Sequence, residues 1–93
     1  MRLTKEETTV LKNGVKKIDP DAQLYIFGSR LDDDAKASEI DLIIVSKKVR
    51  LADKLAIDTY YEEKLKGKNV RTTIGKTGLE GHIALIIPKA VKI

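Results

Sequence analysis

The sequence predicts an α/β fold: a small mixed β-sheet of three or four strands with helices packed mainly on one face. Three observations carry that expectation. Residues 24–27 (Leu24, Tyr25, Ile26, Phe27) and 42–45 (Leu42, Ile43, Ile44, Val45) are short apolar runs rich in branched and aromatic side chains, the pattern of buried strands. Residues 51–66 repeat apolar side chains every three or four positions, the period of a helix. Residues 69–74 alternate, with Val70, Thr72 and Ile74 on one side and Arg71 and Thr73 on the other, so they read as a further strand.

Taken from the N-terminus, residues 1–18 read as a first helix. Thr4 followed by Glu7 fits a capping box, and Val10, Leu11, Val15 and Ile18 form one apolar stripe suited to a sheet face. Gly14 within it costs about 1 kcal/mol relative to alanine. Asp19-Pro20-Asp21 ends the helix, because proline disfavours helical geometry in the residue before it. A strand over 23–27 follows and stops at Gly28-Ser29, a polar connection fills 30–37, and the second strand runs out into the basic turn 47–50.

In the helix over 51–66, Leu51, Ala52, Leu55, Ala56, Ile57, Tyr60, Tyr61 and Leu65 cover one broad face. Tyr60 and Tyr61 belong on this reading to the core or to a partner contact. Gly67 supplies the stop. In the last segment, the apolar residues Ile83, Ala84, Leu85, Ile86 and Ile87 are expected to cover a sheet edge or form a dimer contact.

Composition narrows the function classes. A chain of 93 residues suits a single domain over 1–93, so an enzyme of this size is expected to draw much of its specificity from a partner chain. The net charge of +4 comes from scattered Lys and Arg, and one Phe and three Tyr are the only aromatics, so direct nucleic-acid binding is not favoured. A nucleotide or an acidic partner suits the balance equally well. With no cysteine, disulfides and thiolate chemistry are excluded. No signal-peptide pattern appears and no apolar run approaches the ~20 residues that span a bilayer, so a soluble, cytoplasmic protein is expected, with no membrane partner.

The residues that bear chemistry gather between 24 and 46. Glu39 and Asp41 open the second strand, and residues two apart in a strand share a face, about 6–7 Å apart at Cα. Such a pair is a platform for divalent cations, although acidic residues at a strand start are often merely solvated. Upstream, Gly28 lets backbone approach a ligand closely, and the Ser29 hydroxyl with neighbouring N–H groups can hold a phosphate. A phosphate cradle facing an acidic pair describes a nucleoside triphosphate site. Arg30, next to the turn, can reach a triphosphate, and Lys36 either does so or is a solvated surface residue. Asp32, Asp33 and Asp34 are consecutive in a loop and lack a common focus for a metal. His82, the only histidine, reads as structural or solvated.

Gly28-Ser29-Arg30 followed by Ser38-Glu39-Ile40-Asp41-Leu42 resembles the signature of the DNA polymerase beta nucleotidyltransferase superfamily, in particular its minimal nucleotidyltransferases. That signature is a hydrophobic strand, Gly-Ser, a polar spacer, and Asp-x-Asp opening the next strand. The resemblance implies the same small α/β fold, with the site at the end of the first two strands. It implies a magnesium-dependent transfer of a nucleoside monophosphate, AMP from ATP, to a hydroxyl. In that arrangement Asp41 bridges two metal ions about 3.5–4 Å apart, Glu39 holds one of them, and Gly28, Ser29 and Arg30 hold the phosphates. It further implies a HEPN-type helical partner as acceptor and toxin, with this chain as antitoxin.

Two departures weigh against full activity. Glu39 stands where the family has Asp and reaches one methylene further; a misplacement of that size costs about a hundredfold in rate. The strand over 69–74 carries a third carboxylate in active relatives, but here the matching position is Arg71 or Thr73. Three readings follow: an adenylyltransferase acting with a partner, a catalytically silent module that binds a partner or a nucleotide, and an altered scaffold without activity.

Overall fold

The computed structural model describes residues 4–27, 39–77, 81 and 83–93, and for Glu39 the backbone alone. Its elements in chain order are α1 (Lys5–Lys16), β1 (Gln23–Ile26), β2 (Glu39–Val45), α2 (Leu51–Lys64), β3 (Asn69–Gly75), α3 (Ile83–Ile86), a 3₁₀ turn (Ile87–Lys89) and β4 (Val91–Lys92). The sheet order is β3-β2-β1-β4. β1 runs antiparallel to both β2 and β4, while β2 and β3 run parallel and are joined through α2, so the sheet is mixed, as expected.

The expected capping box starts α1: Glu7 N donates to Thr4 Oγ1 at 3.0 Å, and Thr4 N donates to Glu7 Oε1 at 2.9 Å. The helix ends at Lys16, two residues before the sequence expectation. Its stripe delivers Leu11 and Val15 to the core, with Val10 and Ile18 packed at the margin. They meet Leu24 and Ile26 of β1, Ile40, Leu42 and Ile44 of β2, and Ile57 and Tyr61 of α2 in one buried cluster. α1 and α2 therefore cover the same sheet face.

Close approach of these two helices depends on Gly14. A Cβ there would lie 2.7 Å from Tyr61 Cε1, so only glycine admits the ring. The buried Tyr61 hydroxyl donates to the Leu11 carbonyl at 2.6 Å, which gives the ring's one polar atom a partner. Burial, with Asp58 nearby, raises the Tyr61 hydroxyl well above the usual tyrosine range, so it stays neutral. Tyr61 is a core residue.

The connection after α1 is tied to the end of β2. The buried Ser46 hydroxyl donates to Asp19 Oδ2 at 2.5 Å, and its oxygen accepts from Lys48 N and Val49 N at 3.1 and 3.0 Å. Asp19 Oδ1 accepts from Asp21 N at 3.0 Å.

Three expectations are corrected. α2 ends at Lys64, and its apolar residues do not all share the buried face: Ile57 and Tyr61 point inward, while Leu51 and Leu55 are 82% and 74% exposed. The apolar run near the C-terminus forms α3, whose Ile83 is buried against Gly75 on the sheet face opposite α1 and α2. The sheet edge beyond β1 is closed instead by β4, pairing Val91 with Ile26 and Lys92 with Tyr25. Among the described residues, no helix is long and apolar enough to cross a membrane.

Candidate functional site

Strand register decides what surrounds Asp41. β1 pairs with β2 so that Ile26 lies opposite Leu42, and Phe27, one residue further, donates its N–H to the Asp41 carbonyl at 3.1 Å. On the other side β3 places Arg71 directly opposite Asp41 and Asn69 opposite Glu39. Asp41 thus stands on the central strand, level with the end of β1 and between Phe27 and Arg71. Because Ile40, Leu42 and Ile44 turn into the core, alternation assigns positions 39, 41 and 43 to the opposite sheet face. The same alternation along β3 puts Arg71 and Thr73 there and turns Thr72 inward.

The two charged side chains on that face meet. Arg71 Nε donates to Asp41 Oδ1 at 2.9 Å, with Arg71 59% and Asp41 26% exposed. A charge-assisted bond of this length is well formed, yet its guanidinium remains open to solvent.

Of the residues the sequence assigns to a site, Asp41 is placed with its side chain and Glu39 with its backbone two residues before it on β2. Gly28, Ser29 and Arg30 lie outside the described residues, as do Asp32, Asp33, Asp34, Lys36 and His82. The described residue that precedes Gly28 and Ser29 in the chain is Phe27, whose N–H donates to the Asp41 carbonyl. Of the two alternatives for the third position, Arg71 is level with Asp41 and Thr73 is level with Ile43.

The described side chains do not by themselves make up a two-metal centre, Glu39 being described by its backbone alone. Such a centre needs carboxylates to offset the charge of its ions. Here the position level with Asp41 supplies a cation whose Nε already occupies an Asp41 oxygen. Among the described residues, no group of three or more acidic or histidine side chains could hold a metal ion.

Sequence reasoning did not anticipate the hollows at the opposite end of the parallel strands. One of about 370 Å³ is lined by Asp19, Ser46, Lys48 and Thr77 among others. A neighbouring one of about 510 Å³ is lined by Lys47, Arg50, Leu51 and Lys76. Neither includes Asp41. The one signal for them in the sequence is the basic turn after β2.

Comparison with curated proteins gives no match. The four-stranded mixed sheet and the acidic positions Glu39 and Asp41 at the start of β2 agree with the comparison against protein families. That comparison matches residues 9–86 to the family described as the nucleotidyltransferase domain, and the chain belongs to that family.

Proposed function

We propose that this chain is a nucleotidyltransferase-domain module that works by binding a partner protein and does not carry out metal-dependent transfer. One observation carries the reading: the 2.9 Å ion pair between Arg71 and Asp41. The carboxylate best placed to bridge two ions is engaged by a cation, and the strand that should add a negative ligand adds a positive one. The longer Glu39 side chain compounds the loss. What the family architecture retains without chemistry is a shaped surface.

A second reading keeps one point in its favour. Arg71 is 59% exposed, so its side chain can leave Asp41 without unfolding the sheet. In that reading the chain transfers AMP from ATP to a hydroxyl of a HEPN-type toxin and acts as its antitoxin, with magnesium held by Glu39 and Asp41 and the phosphates by Gly28, Ser29 and Arg30.

Calorimetric titration with ATP, with and without magnesium, separates the two. The binding-module reading expects no magnesium-linked heat from the native chain and a gain of it in the variant carrying Glu39→Asp and Arg71→Asp. It also expects a partner complex indifferent to Asp41→Asn. Magnesium-dependent incorporation of labelled AMP, abolished by Asp41→Asn, overturns it in favour of transfer.

A further inference from the structure

The outward face of α2 is ordered by charge along its length. At its N-terminal end Lys47, Arg50 and Lys76 line the same hollow as Leu51. Leu51, Ala52, Leu55 and Ala56 follow as an exposed apolar stretch, the two leucines 82% and 74% exposed. At its C-terminal end the same arc carries the exposed Glu62 and Glu63. The nearby basic residues Lys64, Lys66 and Lys68 line the hollow they share with Glu6 and Glu7 of α1, where Lys68 pairs with Glu7 at 3.5 Å. Lys54 and Asp58 neutralise each other at 2.8 Å on the flank.

We infer that this face of α2 binds a second copy of the same chain, the two α2 helices packing antiparallel about a two-fold axis near Leu55. The order basic, apolar, acidic is self-complementary in that orientation alone. Reversing one helix lays Lys47 and Arg50 of one copy beside Glu62 and Glu63 of the other, twice by symmetry, while the leucines and alanines pack at the centre. A parallel pairing sets like charges together. The apolar stretch is thereby removed from water without burying an unpaired charge, which no contact among the described residues achieves for Leu51 and Leu55. A single helix face offers less than the ~1,200 Å² of stable complexes, so the dimer is weak and concentration-dependent. This inference does not depend on whether Asp41 can hold a metal.

Sedimentation equilibrium up to ~1 mM chain tests it, with circular dichroism to show that each variant keeps its fold. The native chain is expected to dimerise and Leu55→Glu to remain monomeric. The variant with Lys47→Glu and Arg50→Glu, and the variant with Glu62→Lys and Glu63→Lys, should each self-associate at least about tenfold more weakly. An equimolar mixture of those two should recover association, because each then meets its complement at both ends. A native chain that stays monomeric throughout overturns the proposal and leaves the face to another partner. So does a dimer that survives Leu55→Glu, or a mixture no tighter than its components.

Discussion

Arg71 lies directly opposite Asp41 on the neighbouring parallel strand, and its Nε donates to Asp41 Oδ1 at 2.9 Å. An arginine and an aspartate thirty positions apart in the chain thus form one electrostatic unit on the sheet face where the family signature places its acidic pair. In the binding-module reading proposed above, that unit is what separates belonging to the family from performing its chemistry.

Its contribution to folding should be small. With Arg71 59% exposed, an ion pair of this kind is worth about 0–1 kcal/mol. Arg71→Ala is therefore expected to shift the urea midpoint little, while freeing Asp41 to take a manganese ion more readily than the native chain does. Denaturation and manganese titration on the same preparation check both halves. A large loss of stability would show that the pair holds β3 in place.

Asp19 predicts the acid limb of stability. The Ser46 hydroxyl is the main cause holding its carboxyl below the ordinary 3.8; the Asp21 N–H and the charges of Lys48 and Lys16 assist, and burial opposes them. A carboxyl depressed in the folded state stabilises fully above its unfolded value and ceases to do so as pH falls through the native one. Unfolding below pH 3.8 should therefore steepen in the native chain and flatten in Asp19→Asn. Identical acid midpoints would refute the assignment. Separately, Ser46→Ala deprives the buried Val49 N–H of its acceptor and should cost about 1–3 kcal/mol at neutral pH.

The strands were legible because the apolar runs ending at Phe27 and Val45 suit a sheet, burying Leu24, Ile26, Leu42, Ile43 and Ile44, and α1 because Thr4 and Glu7 mark its start. What the chain does not announce locally is which side of an element meets which neighbour. Periodicity marks Leu51 and Leu55 as apolar with Ile57 and Tyr61, but only the packing of α1 selects the second pair for the core. β4 is two residues long and exists through its pairing with Tyr25 and Ile26, so no local pattern reveals it. That Arg71, rather than Thr73, stands level with Asp41 is set by the parallel register, a non-local fact. Gly14 looked like a weakness of α1 and proves to be the opening that admits Tyr61.

That opening gives a prediction against helix propensity. Gly14→Ala should gain about 1 kcal/mol in an isolated helix. Here the new methyl meets the Tyr61 ring at 2.7 Å and Tyr60 Cδ2 at 3.1 Å. Overpacking of this kind costs about 1–3 kcal/mol, so the net change should be a loss. Thermal unfolding measures its sign, and a stabilised variant would show that α1 and α2 can separate freely.

The contact between α3 and the sheet is best tested by coupling two substitutions. A Cβ at Gly75 would collide with the Ile83 side chain, which is 4% exposed and holds α3 against β3. Gly75→Ala alone should therefore push the Ile83 side chain from its present position, and Ile83→Ala alone should remove the anchor of α3; each lowers stability. In the double variant the new methyl enters space the isoleucine has left, with the Thr77 carbonyl at an acceptable 3.4 Å. The double loss should then fall short of the sum of the single losses by about 0.5–3 kcal/mol, the range for residues in direct contact. Urea denaturation of the four proteins measures that difference. Strict additivity would mean that Ile83 does not rest on Gly75 in solution and that the face shared with Asp41 and Arg71 lacks this cover.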